Sequence, residues 1–205
     1  MFCFDIGANV GKWAVANKDN YNEIISIEAS PDTFKILLDN TSSIQNITCL
    51  CYAVCNNENK EVVFYSSPVH QLSSLNQEWF SAKSRFDKTP YHAIKCASIT
   101  LDKLIEHYGT PDLIKIDVES GEYLTISSLT KKVPMICFEW ASEMHEITLK
   151  CLEHLSQLGF DKYYIQYEDD YTFQPQQSDY KSLESIKQEL LQTVSKVDWG
   201  MIWTQ

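Results

Sequence analysis

Residues 5 to 11 read Asp5-Ile6-Gly7-Ala8-Asn9-Val10-Gly11. They follow an apolar opening, Phe2-Cys3-Phe4, and precede a helix-compatible run from Lys12. The stretch therefore reads as a glycine-rich turn from a first strand into a first helix, the place where α/β proteins hold nucleotide-like ligands. Gly7 and Gly11 let the backbone approach a ligand closely, and Asn9 is the non-glycine residue that best tolerates positive φ. Counted from Gly7, a dinucleotide fingerprint needs glycines where Asn9 and Lys12 stand, and no Gly-Lys-Ser/Thr phosphate loop is present. Both absences argue against an NAD-type oxidoreductase. The acid beside the turn, Asp5, suits a ligand carrying a cationic amine better than one carrying phosphates.

The next apolar run, Glu23-Ile-Ile-Ser-Ile-Glu28, reads as a second strand. It ends in a carboxylate placed to accept both hydroxyls of a ribose. A glycine turn with a distal acid is the pattern of an adenosyl site, and it makes Asp5, Gly7, Ala8, Asn9, Gly11, Glu28 and Ala29 the candidate cofactor-binding residues. The plainer alternative is that Asp5 and Glu28 only cap or solvate strand ends. Ser30-Pro31 supplies an N-cap and a first-turn proline for a second helix, with Phe34, Leu37 and Leu38 as its buried stripe.

The turn, Ile27-Glu-Ala-Ser-Pro-Asp-Thr-Phe34 with Leu38-Asp39-Asn40, and Thr100-Leu101-Asp102 followed by Leu113-Ile-Lys-Ile-Asp-Val-Glu-Ser-Gly-Glu122 resemble, in type and order, the FkbM family of S-adenosylmethionine-dependent methyltransferases. The resemblance runs from about Phe4 to Glu139. Its most specific element is Lys115-Ile-Asp117-Val-Glu119-Ser-Gly121-Glu122. The family usually has glycine directly after the first glutamate, whereas here Ser120 stands there and Gly121 follows. The resemblance implies a Rossmann-like class I methyltransferase fold, a mostly parallel seven-stranded sheet with helices on both faces. It also implies S-adenosylmethionine as cofactor and methyl transfer, usually to oxygen and often on a sugar or deoxysugar.

Composition fits one enzyme domain over residues 1 to 205. The chain has 44% hydrophobic and 12% aromatic residues, enough for a sizeable core. No run approaches the roughly 18 apolar residues of a membrane span, and the opening is too short and uncharged for a signal peptide. A cytoplasmic protein without a membrane partner is expected. Seven cysteines lack the paired spacing of a zinc site and read as buried free thiols. With 17 basic against 28 acidic residues and a net charge of −11, the chain has no basic run for a phosphate backbone, which argues against nucleic acid. A neutral hydroxyl compound carries no such penalty.

Strands and helices alternate in the manner of a parallel sheet covered on both faces. Further strands are expected over residues 46–52, 61–65, 92–99, 112–117, 134–139, 161–167 and 199–204. A helix follows Thr100 and stops at Gly109, and another runs from Ser142 to Leu158. Leu183, Ile186, Leu190, Val194 and Val197 mark one more. Because the first strand stands at the beginning of the sequence, the acceptor side is expected to be open, which favours a large acceptor such as a glycan end.

Ligands of open α/β sheets lie over the carboxyl ends of the strands, where Lys115, Asp117, Glu119, Glu122 and Glu139 fall. Methyl transfer from a sulfonium is an in-line displacement that the protein chiefly aligns. A sugar hydroxyl must lose its proton during the reaction, and a carboxylate crowded by like charges is a suitable base. Asp117 is the favoured base, with Lys115 orienting it or stabilising charge on the acceptor oxygen; the plainer role for Lys115 is a salt bridge. Glu139 is the second choice and His145 the third. Asp117, Glu119 and Glu139 could also hold a divalent metal through oxygen ligands. Glu119 and Glu122 either meet substrate or cap the following helix. In the polar excursion of residues 66–89, Ser73, Ser74 and Trp79 are candidate substrate contacts, as is Trp140 beside Glu139. An indole face suits a sugar ring, although Trp79 and Phe80 could instead pin the loop to the core. The competing functions are a nucleic-acid 2′-O-methyltransferase, a small-molecule O-methyltransferase and a non-catalytic adenosyl-binding domain.

Overall fold

The computed structural model describes residues 1–57, 60–81, 85–168, 170–193 and 198–205. In chain order its elements are β1 (Phe2–Ile6), α1 (Lys12–Asn17), β2 (Glu23–Glu28), α2 (Pro31–Thr41), β3 (Ile47–Cys51), β4 (Ala53–Val54), β5 (Glu61–Ser66) and β6 (His92–Ile99). They continue with α3 (Leu101–Tyr108), β7 (Leu113–Ile116), α4 (Glu122–Ile126), β8 (Ile136–Ala141), α5 (His145–Gln157), β9 (Tyr163–Tyr167), α6 (Leu183–Leu191) and β10 (Trp199–Thr204). Seven strands form the main sheet in the order β3-β2-β1-β7-β8-β10-β9. All pair in parallel except β10, which runs antiparallel to both β8 and β9. A smaller sheet, β4-β6-β5, stands beside it. This is the expected doubly wound, mostly parallel α/β sheet.

Alternation along the strands sends residues to two cores. Phe4, Ile6, Ile25, Ile27, Ile114 and Ile116 pack with apolar residues of α3, α4, α5 and α6. Cys3, Ile24, Leu113 and Cys137 pack with Trp13 and Ala14 of α1 on the other face. Because β1 and β7 pair with Asp5 opposite Lys115, the period-2 alternation puts these two charged side chains on the face of α1.

Local chemistry explains the helix starts. Ser30 accepts from the amide of Thr33 with Pro31 in the first turn, and Thr100 accepts from Lys103, each satisfying a donor that the helix leaves open. The stripe of α2 differs from expectation. Leu37 is buried, but Leu38 is 43% exposed, and Thr33 and Thr41 fill the buried positions four residues on either side. Strand β8 lies two residues further on than its apolar run suggests, because its end at Ala141 pairs with Trp199 of β10. The helix expected from Ser142 opens as a 3-10 turn, Ser142–Met144, before α5 begins. Val194 and Val197 lie outside the described residues. All seven cysteines are free, five of them buried. Among the described residues no helix is long and apolar enough to cross a membrane.

Candidate active site

The glycine turn is tied to the end of β2. The amides of Gly7 and Ala8 both donate to the carbonyl of Ile27 at 2.9 Å, and Gly7, Asn9 and Gly11 all adopt positive φ of 75°, 52° and 85°. This is the conformation that Asn9 was expected to tolerate. The carboxylate of Glu28 accepts from the amide of Asn9 at 2.9 Å and from that of Ser30 at 2.8 Å. Burial pushes its pKa up to about 7, against the pull of those amides.

Two narrow clefts adjoin the turn. Glu28, Ala29, Tyr52, Val54 and Phe64 line the first. Asn9, Lys12, Trp13, Lys115 and Tyr171 line the second. They share Gly7, His70, Gln71 and Asp117, so a ligand running from Glu28 toward Lys115 would pass over Gly7 beside Asp117. The side chain of Asn9 has a buried Oδ1 without a hydrogen-bond partner among the described residues.

Lys115 is buried between two acids, with its Nζ 3.3 Å from Asp5 Oδ1 and 3.2 Å from Asp117 Oδ2. Desolvation raises the pKa of Asp5, and the charge of Lys115 opposes the rise. Since β7 pairs with β8 with Ile116 opposite Phe138, Asp117 stands level with Glu139. One carboxylate oxygen each from Asp117, Glu119 and Glu139 lies within 4.8 Å of the others, a spacing that oxygen ligation of a divalent cation could use. Burial, then the charge of Asp117, pushes the Glu119 pKa well up; burial, then the charges of Glu119 and Asp117, does the same for Glu139. Burial takes Glu122 to about 8.

The structure brings Gly7, Asn9, Glu28, Ala29, Lys115, Asp117, Glu119 and Glu139 together, and it gives the remaining candidates other surroundings. Asp5 is wholly buried and lines neither cleft; it is the counter-ion of Lys115 and does not meet a ligand's amine. Trp140 is 1% exposed within the main core, its Nε1 donating to the carbonyl of Gln166, so it offers nothing to substrate. Ser74 is fully buried, donates to the carbonyl of Glu119 and accepts from the amide of Asn76; it positions Glu119 and does not touch substrate. Ser73 accepts from the amide of Ser67 and lines the first cleft, on the side of Glu28. Glu122 is buried and accepts from the amide of Val118, which fixes the loop after β7. Trp79 is 3% exposed, packed against Phe86 and Met144. Its ring face is no platform for a sugar, because it pins the loop to the core. His145 lies in a separate cavity with Trp79 and Ser120. Ala8 is buried, and Gly11 caps α1; both hold the turn through backbone alone.

Tyr52, Val54, His70 and Gln71 also line the clefts, although none of them is among the candidates above. For Tyr52 and Val54 a signal existed, since they follow the carboxyl end of β3, where ligands of such sheets lie. His70 and Gln71 come from a loop whose path no local pattern reveals.

An open, mostly parallel sheet, a glycine turn clasped by a strand-end acid, and carboxylates beyond the next strands stand together on this Rossmann-like fold. Residues 5–162 match the model of the methyltransferase FkbM domain, and the chain belongs to that family; it is an S-adenosylmethionine-dependent methyltransferase by class. No curated protein matches the chain. Among solved structures, similarity extends to precorrin-6y C5,15-methyltransferase of Geobacter metallireducens GS-15, at 10% identity and a TM-score of 0.49, covering 100% of this chain and 80% of that one. The fibrillarin pre-rRNA processing protein of Methanococcus jannaschii shares 12% identity at a TM-score of 0.49 over 99% of this chain. Aeropyrum pernix fibrillarin with natively bound S-adenosyl-L-methionine shares 11% at 0.47 over 100%. The chain spans 65% of the length of each fibrillarin.

Proposed function

We propose that the protein transfers a methyl group from S-adenosylmethionine to a hydroxyl of a sugar or glycan, with Asp117 as the proton acceptor. The carrying observation is the group of Asp117, Glu119 and Glu139 oxygens within 4.8 Å of one another, with Lys115 3.2 Å from Asp117 and Asp117 shared by both clefts. The residues present fit the cofactor: Gly7 lines both clefts, Glu28 keeps lone pairs for ribose hydroxyls, and Asn9 Oδ1 has no hydrogen-bond partner among the described residues and suits an amine. Bound S-adenosylmethionine supplies an electrophilic methyl carbon on a sulfonium. Glu28, Ala29, Tyr52 and the turn from Gly7 to Gly11 would hold its adenosyl half, with Asn9 and Lys115 toward the other end.

Asp117 takes the acceptor's proton, held in place by the ammonium of Lys115. Burial and the charge of Asp117 push the Glu119 and Glu139 carboxyls well above their ordinary value, whereas Asp117 is the member of the three that pairs with Lys115. Asp5 fixes Lys115 from behind. The excess of 28 acidic over 17 basic residues supports an acceptor without phosphates. The test incubates the protein with labelled S-adenosylmethionine and panels of glycosides, RNA oligomers and small phenols, and locates the transferred methyl by mass spectrometry. Label on glycoside oxygen is expected; label confined to RNA or to phenols overturns the acceptor assignment.

A further inference from the structure

A third cavity, about 390 Å³, lies between the 3-10 turn Gln77–Phe80 and the junction of β8 with α5. It is of the size that small ligands occupy, and it opens beside Ser120, the neighbour of Glu119. We propose that this cavity is the acceptor subsite and that it takes a sugar bearing a free amino group, bound as its ammonium ion. The role as acceptor subsite rests on the methyl-transfer reading above; the recognition of an ammonium sugar does not.

Two independent features point to such a ligand. Trp79 lines the cavity, is 3% exposed, and has an indole Nε1 with no hydrogen-bond acceptor among the described residues. A buried donor left unmade is costly, and a ring or hydroxyl oxygen of a bound sugar would satisfy it. The second feature is charge. Glu78, Glu143 and Glu146 line the same cavity. Glu143 is held by Arg85 at 2.9 Å, whereas the exposed carboxylates of Glu78 and Glu146 have no ion-pair partner among the described residues. Apart from His145, no described lining residue is cationic. Carboxylates around a donor-bearing pocket form charge-assisted hydrogen bonds with an ammonium group and repel an anionic sugar.

Calorimetry on the protein saturated with adenosylhomocysteine, titrated with glucosamine, N-acetylglucosamine, glucose and glucuronate, tests this. Glucosamine is expected to bind about tenfold or more tightly than its acetylated form, with glucuronate weakest. Glu78→Gln and Glu146→Gln, both changes at exposed positions, are expected to weaken glucosamine several-fold while leaving adenosylhomocysteine affinity unchanged. Trp79→Phe, which keeps the ring and removes the donor, is expected to weaken every sugar. Neutral sugars that bind as tightly as glucosamine, preference for glucuronate, no sugar binding, or indifference to both glutamate changes overturns the proposal. Methylation of neutral glycosides with no preference for glucosamine leaves methyl transfer standing and removes the ammonium site. Glucosamine binding that depends on Glu78 and Glu146, without methyl transfer to any hydroxyl, upholds the ammonium site and removes the reading of its role as acceptor subsite.

Discussion

A Cβ placed on Gly7 would stand 1.8 Å from the backbone carbonyl oxygen of Asp117. The turn at the end of β1 and the loop at the end of β7 are thus in backbone contact, and the glycine turn and Asp117 share one rigid corner. Gly7 also has φ of 75°, a region costing an L side chain about 1–2 kcal/mol. Gly7→Ala must therefore part the two strand ends. It is expected to lower stability by about 3 kcal/mol or more and to abolish adenosylhomocysteine binding, read by chemical denaturation and calorimetry. A variant of near-normal stability and affinity would show that the contact is not needed.

The loop after Asp117 carries strain at the place where this chain departs from its family. Glu119 and Ser120 have φ of 53° and 68°, whereas Gly121 sits at −98°. The glycine of the usual motif would occupy the left-handed position that Ser120 holds here with a hydrogen bond from Asn76 Nδ2 at 2.9 Å. Ser120→Ala and Ser120→Gly lose that bond equally, but only the glycine relieves the backbone. The glycine variant is expected to be about 1 kcal/mol more stable than the alanine variant, the reverse of the usual order. Urea denaturation of the pair checks it.

How much of this was legible in sequence follows from the range of each interaction. The turn from Gly7 to Gly11, the acid at Glu28 and the carboxylates of residues 115 to 122 depend on local backbone geometry and strand ends, and they were readable. The fates of Asp5, Trp79 and Trp140 were not, because each is decided by a partner remote in the chain. Lys115 lies opposite Asp5 only once β1 and β7 pair, and Gln166 reaches Trp140 only through the β8-β10-β9 order. Leu38 illustrates the same limit on a helix. Its spacing fits a buried stripe, but α2 turns Thr33, Leu37 and Thr41 inward instead.

The buried acids give stability a pH dependence of definite sign. Burial pushes Glu28 up to about 7 and Glu122 to about 8 from an ordinary value of 4.5, and Asp5, Glu119 and Glu139 are raised as well. In each case the folded chain holds the proton more tightly than the unfolded one. Stability is therefore untouched below the ordinary carboxylate range, falls as pH rises from about 4.5 to about 8, and levels off once the folded pKa values are passed. His70, whose pKa burial lowers, acts in the opposite sense. Each unit of displacement is worth about 1.4 kcal/mol. The ligand-free protein is expected to show a lower denaturation midpoint at pH 8 than at pH 5, with a shallower slope in Glu28→Gln. A midpoint that rises over this interval contradicts the assignment.

Asp117 and Glu139 make different predictions for the chemical step. If Asp117 accepts the proton, Asp117→Asn keeps the shape of the site, retains adenosylhomocysteine binding and lowers kcat by about 10²–10⁴-fold. Glu139→Gln then costs far less, because Glu139 takes no proton in that step, and burial with the charges of Glu119 and Asp117 raises its carboxyl well above the ordinary value. The two roles also differ in the pH profile. A base must be deprotonated, so kcat rises with pH through the pKa of whichever group serves. If Glu139 serves, that rise is displaced upward, because burial and the charges of Glu119 and Asp117 raise its carboxyl. Removing the ammonium that orients Asp117, by Lys115→Met, is expected to lower kcat without moving KM for S-adenosylmethionine by a comparable factor. Near-normal turnover in Asp117→Asn, with collapse in Glu139→Gln or in His145→Ala, would transfer the role to that residue. Turnover measured with and without a chelator would show in the same experiment whether the three carboxylates act through a divalent cation, since loss on chelation and recovery on adding Mg²⁺ is the one pattern that a metal-free base does not produce.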